Sequence, residues 1–126
     1  MSSLCITKGA DIFKTAIAVA PVANWRNYDN IYTERFMRTP QENPEGYDVN
    51  SPINHLKKLK GNYFIIHGSG DDNVHYQNSM ELINVLIKEN KQFQQFTYPN
   101  REHSIYGGNT RLHLYNMLTK YILEYL

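Results

Sequence analysis

Short runs of apolar residues alternate with segments in which apolar positions recur every three or four residues, as happens when strands and helices take turns along a chain. Ala16-Ile17-Ala18-Val19-Ala20 is continuously apolar and stops at Pro21, and Tyr63-Phe64-Ile65-Ile66 is a second such run, stopped by His67-Gly68. Unbroken runs of this length predict strands covered on both faces, as in a parallel sheet. A weaker third strand is predicted over residues 93–98, where aromatics precede Pro99. Between the second and third, residues 76–89 set Met80, Ile83, Leu86 and Ile87 at helical spacing, with Asn90 as the stop, which predicts a crossover helix. Over residues 110–126 Leu112, Tyr115, Leu118, Ile122 and Leu126 recur on one helical face, and a C-terminal helix packed on the sheet follows. The fold class is therefore α/β, with about three parallel strands and flanking helices.

Residues 25–59 break this rhythm. Pro40, Pro44 and Pro52 interrupt the stretch, and its aromatics have no clean period, so it reads as a helical excursion with irregular joints. It is long for a plain crossover, which makes it either a functional surface or a lid that only covers core.

Composition narrows the classes. At 126 residues the chain is one domain at most, residues 1–126. Thirteen Lys and Arg against 12 Asp and Glu leave a net charge of +1, too balanced for the positive field that nucleic acid demands. Hydrophobic residues make up 41%, enough for a core. The single cysteine, Cys5, excludes an internal disulfide and a thiolate zinc cage, and its neighbours Leu4 and Ile6 predict a buried, inert thiol. No apolar run approaches the roughly 18 residues of a membrane span.

Candidate chemistry gathers in two turns, residues 67–75 and 101–105, each just past a predicted strand. Ligands in open parallel sheets bind at that carboxyl edge. Neighbouring strands lie about 4.8 Å apart, so loops leaving them can bring a carboxylate at Asp71 to an imidazole at His103. Such a dyad fixes the imidazole tautomer while the other ring nitrogen takes a proton from a nucleophile. The alternatives are an ordinary surface histidine and a mixed metal site drawn from His67, Asp71, Asp72, His75 and His103, although their spacing is not that of a helical ligand pair. No serine lies in Gly-x-Ser-x-Gly. Ser69 sits in the turn that bears the acid.

Three strings then carry a resemblance: Ile17-Ala18-Val19-Ala20-Pro21-Val22 with Trp25; Tyr28-Asp29-Asn30-Ile31-Tyr32-Thr33-Glu34-Arg35; and Gly68-Ser69-Gly70-Asp71-Asp72-Asn73-Val74-His75 with His103. Together they resemble the C-terminal part of the catalytic domain in dipeptidyl peptidase IV relatives of the prolyl oligopeptidase family. The resemblance implies a partial α/β-hydrolase fold lacking the N-terminal strands and nucleophile elbow, and a serine peptidase that releases Xaa-Pro or Xaa-Ala dipeptides from peptide N-termini without a cofactor. It assigns Asp71 as the acid and His103 as general base and then acid. Val22, Trp25, Tyr28, Tyr32 and Val74 become walls of an apolar pocket for proline, and Asn73 a donor to a substrate carbonyl. Val22 and Trp25 also fit as plain core.

The same resemblance places the family's nucleophile just ahead of Met1, so this chain is expected to lack its serine and to be inactive alone. The alternative is a non-catalytic interaction module. An exposed strand edge is expected to drive a homodimer or a strand-exchanged oligomer. A disulfide of animal members falls at Thr15 and Tyr125, and no Asn-x-Ser/Thr sequon occurs, which favours a bacterial parent; the resemblance implies that the parent is exported. Ser104 stands where many relatives have glycine.

Overall fold

The computed structural model describes residues 1–126. In chain order its elements are α1 (Ser2–Lys8), β1 (Thr15–Val19), a 3-10 turn (Trp25–Asn27), α2 (Asn30–Met37), α3 (Pro44–Asn50), a second 3-10 segment (Pro52–Lys58), β2 (Asn62–Gly68), α4 (Gln77–Lys88), β3 (Gln94–Tyr98) and α5 (Thr110–Tyr125). The strands form one parallel sheet in the order β1-β2-β3, with Ile17 beside Phe64 and Ile66 beside Phe96. This is an α/β fold of three parallel strands with flanking helices.

Side chains of β2 alternate between two cores, as the pleat requires. Tyr63 and Ile65 join Ala16 and Ala18 against Ile6 of α1, Leu56, and Leu82 and Leu86 of α4. Phe64 and Ile66 face the other way, onto Tyr98, Ile105, and Leu114 and Tyr121 of α5. Each such aliphatic or aromatic side chain contributes about 1.5–3 kcal/mol when fully buried, which explains why residues 63–66 of the central strand are apolar.

Four expectations are corrected. β1 is fully covered on one face and partly on the other: Ala16 and Ala18 are buried, while Ile17 packs half-buried against the core under α5 and Val19 is 41% exposed, because α5 packs chiefly on Phe64 and Tyr98 and reaches β1 near its start, where Thr15 Oγ1 donates to Tyr125 C=O at 2.8 Å. On α5 the packed face carries Leu114, Met117, Leu118, Tyr121 and Tyr125, whereas Leu112, Tyr115, Ile122 and Leu126 are exposed. Apolar residues surround this helix on nearly every side, so a second stripe offered the same period. In α4 it is Leu82 and Leu86 that are fully buried, while Ile87 is exposed. Cys5 is half-buried rather than sealed.

Some local features follow directly from residue chemistry. Asn90 takes a left-handed conformation (φ 52) just past α4, and Asn90 N–H and Lys91 N–H donate to Ile87 C=O and Leu86 C=O, closing the helix end. The sequence reading has no counterpart for α1, a seven-residue helix without a stripe. It is anchored by the buried Ser3–Tyr63 hydroxyl pair at 2.7 Å, and burial pushes the Tyr63 hydroxyl well above its usual range.

Candidate active site

Two loops leave the carboxyl ends of β2 and β3, and backbone contacts lace them together. Ser69 N–H donates to Tyr98 C=O at 3.0 Å and Gly70 N–H to Arg101 C=O at 3.1 Å. Ser69 Oγ accepts from Asn100 N–H at 2.8 Å. Gly68 is required here, since a Cβ would run into the Arg101 carbonyl. The Gly-Ser-Gly run thus closes the gap between loops, and Ser69 is a clip in that closure.

The lacing puts Asp71 against His103. His103 Nδ1–H donates to Asp71 Oδ2 at 2.8 Å, with the Asp71 side chain fully buried and the His103 side chain 42% exposed. Asp71 Oδ1 accepts from the N–H groups of Asn73 at 3.0 Å and Val74 at 2.9 Å. A buried carboxylate needs such donors to offset lost hydration. With Nδ1 turned to the acid, His103 Nε2 is left to face outward, the orientation a general base needs. Downstream of His103 the left-handed residue is Ile105 (φ 45), not Ser104. Left-handed conformations are rare for β-branched residues, and this one is held by burial of its side chain among Phe64, Ile66 and Tyr98.

The aromatic residues assemble beside this pair. Asn24 caps the 3-10 turn by accepting from Arg26 N–H, and Asp29 caps α2 by accepting from Tyr32 N–H. Trp25 is fixed from both ends, its N–H donating to Ser51 Oγ and its indole Nε1–H to Asn50 C=O, each at 3.0 Å. It stacks on Tyr32 (6.2 Å between centroids) and meets Tyr28 edge-on at 6.0 Å. Tyr28 and Tyr32 are edge-on at 5.6 Å, and Phe36 extends the cluster. Tyr28 O–H donates to Asn73 Oδ1 at 2.8 Å. Burial first, then the charges of Asp29 and Asp71 and the neighbouring Tyr32, raise the Tyr28 hydroxyl above its usual range and keep it a donor. One chain of contacts therefore runs from His103 through Asp71 and Asn73 to Tyr28 and the aromatic group.

The remaining residues divide. Val22 and Trp25 line a cavity of about 230 Å³ with Leu4, Ala20 and Pro52. Tyr28 and Asn73 line a separate groove of about 710 Å³ with Arg26, Asp29, Asp72 and His75. Val74 is buried and lines neither. No three His, Cys, Asp or Glu side chains are grouped to hold a metal. His67, weighed above as a ligand, is buried with both ring nitrogens engaged: Nε2 lies 3.0 Å from Asp71 Oδ2 and 2.8 Å from Val74 C=O, and Nδ1 lies 2.7 Å from Ser79 Oγ. Sequence reasoning missed this second imidazole on the acid. Its signal is a histidine on the last turn-facing position of a buried strand, four residues before the acid.

Comparison with known proteins extends these observations. The chain is 46% identical over 115 residues to a Coccidioides posadasii protein named "Probable dipeptidyl-aminopeptidase B", covering 89% of this chain and 12% of that protein. It is 43% identical over 113 residues to the venom dipeptidyl peptidase 4 of Vespula vulgaris, covering 87% of this chain and 14% of that one. The crystal structure of Porphyromonas gingivalis dipeptidyl peptidase 4 superposes with a TM-score of 0.96 at 48% identity over 98% of this chain and 18% of that chain. The chain thus spans about an eighth of the length of these curated relatives. All of residues 1–126 match the prolyl oligopeptidase family, and the chain belongs to that family.

Proposed function

We propose that this chain supplies the acid and the base of a serine-type dipeptidyl peptidase. In this reading Asp71 holds His103 in the Nδ1–H tautomer. His103 Nε2 takes the proton of a serine hydroxyl as its oxygen attacks the scissile carbonyl, then gives that proton to the leaving amine. Tyr28, backed by the rings of Tyr32 and Trp25, offers the aromatic face for the proline or alanine that precedes the cut bond, with Val22 on the neighbouring cavity and Val74 buried beneath the Asp71 turn. A flat pyrrolidine ring packs well on aromatic faces. Because Tyr28 occupies the Asn73 carbonyl oxygen, the Asn73 amide nitrogen is free to donate to a substrate backbone carbonyl. The observation that carries the reading is the 2.8 Å bond from His103 Nδ1–H to the buried Asp71, joined through Asn73 to the aromatic group.

The sequence holds no Gly-x-Ser-x-Gly, so the nucleophile is drawn from the rest of a catalytic domain and the 126 residues alone are inert. The exposed apolar stripe of α5 and the incomplete cover of β1 at Val19 support association of copies, which light scattering would read as a dimer mass or higher. The deciding assay offers Gly-Pro 4-nitroanilide and a fluorophosphonate probe to the isolated chain and to the complete protein that carries it. Turnover and labelling are expected only in the complete protein. Labelling of the isolated chain, or a complete protein that leaves the amide intact, would overturn the reading.

A further inference from the structure

Asp71 serves two imidazoles. Its Oδ2 accepts from His103 Nδ1–H at 2.8 Å and also lies 3.0 Å from His67 Nε2. His67 stands near the end of β2, 1% exposed, with its ring edge-on to Tyr76 at 5.5 Å between centroids. Both neighbours of Nε2, a carboxylate and the Val74 carbonyl, can only accept. Nε2 therefore carries the hydrogen, and Nδ1 accepts from the Ser79 hydroxyl at 2.7 Å. Every polar atom of the ring is matched, which a buried imidazole must achieve to persist.

We propose that His67 is a positioning residue for the Asp71–His103 couple, an inference that rests on the peptidase reading above. Two backbone donors hold Oδ1, but they leave the carboxylate free to tilt about the axis through that oxygen. The His67 donor fixes the second oxygen and stops the tilt, so Oδ2 meets His103 along one line. The same Nε2–H binds Val74 C=O while Val74 N–H binds Oδ1, so His67 also sets the turn that carries the acid. Loss of this donor lets Oδ2 drift, and misplacement on the scale of an ångström costs about 10²-fold in rate.

The two ring nitrogens can be tested apart in the complete peptidase. In His67→Gln the side-chain amide reaches the place of Nε2 and keeps a donor for Asp71. In His67→Asn it falls at the place of Nδ1 and keeps only the Ser79 contact. His67→Asn is expected to lower kcat about 10²-fold with KM within about threefold, and His67→Gln to recover kcat to within about tenfold of the parent. Equal losses in both variants, full activity in His67→Asn, or a deficient His67→Gln beside an active His67→Asn would each overturn the inference. If melting curves show His67→Asn unfolded, His67→Gln alone decides: near-parental kcat supports the role, and a loss like that expected for Asn overturns it. Asp71→Asn measured alongside separates the two levels. Full activity there defeats the peptidase reading itself, whereas a collapse there with an unaffected His67→Asn defeats only the role of His67.

Discussion

The two halves of the candidate site are built by opposite means. Both carboxylate oxygens of Asp71 and both ring nitrogens of His67 have partners, two loops are laced by their backbones, and the central strand beneath is buried. Around Tyr32 the scaffold is α2, eight residues long, whose sole buried residue is Thr33. Ile31, Tyr32 and Phe36 lie open to solvent, and the buried Thr33 hydroxyl has no partner. Short helices in water are marginal unless tertiary packing holds them. The Asp71 half is therefore fixed by hydrogen bonds in three dimensions, and the Tyr32 half by ring-on-ring contact along a lightly anchored helix. Under the proposed reading, rigidity sits where angles matter and compliance where a substrate ring would enter.

Three changes break or sharpen this contrast. The largest effect belongs to the stiff half: Asp71→Asn in the complete peptidase is expected to lower kcat about 10⁴-fold, since an amide presents a donor to His103 and favours the wrong tautomer. Steady-state turnover of Gly-Pro 4-nitroanilide checks it, and a loss below about tenfold would contradict the assigned role. In the compliant half, Tyr28→Ala removes edge-on ring contacts to Trp25 and Tyr32 and the bond to Asn73, interactions worth about 1 kcal/mol each. The preference for proline over bulkier residues is expected to fall roughly tenfold in kcat/KM with little change in melting temperature; an unaltered preference counts against the pocket. The smallest effect concerns the exit of α2, where Arg38 adopts φ 62 and ψ −167, a region that glycine alone enters without strain. Arg38→Gly is expected to stabilise the fold by about 1 kcal/mol, read as a raised urea midpoint at constant slope.

The sheet and the Asp71–His103 contact are legible because each depends on local signals that survive in one dimension. Apolar runs ended by Pro21 and by His67-Gly68 marked β1 and β2, and a turn after each of two neighbouring parallel strands must lie on the same edge. What stayed hidden depends on which neighbour arrives in space. Leu112, Tyr115, Ile122 and Leu126 repeat as regularly as Leu114, Met117, Tyr121 and Tyr125, and only the placement of α5 across Phe64 and Tyr98 decides between them. α1 has no period to detect and gains its hold from Ile6 and the Ser3–Tyr63 contact. The pairing of His67 with Asp71 requires the chain to turn back on itself between them, a path set by Gly68 and by contacts to a loop some thirty residues away. Ile105 gives no sequence hint of its left-handed backbone, because burial and not residue type imposes it.

The close approach of Gly68 to the Arg101 carbonyl also constrains how this segment can vary in length. With Ser69 and Gly70 tied rung by rung to Tyr98, Asn100 and Arg101, one inserted residue on either side would shift the ties out of step and carry the carboxylate past the imidazole. Insertions are tolerated where the affected backbone is exposed and free of hydrogen bonds, so chain-length change should concentrate elsewhere, in the proline-broken stretch before β2.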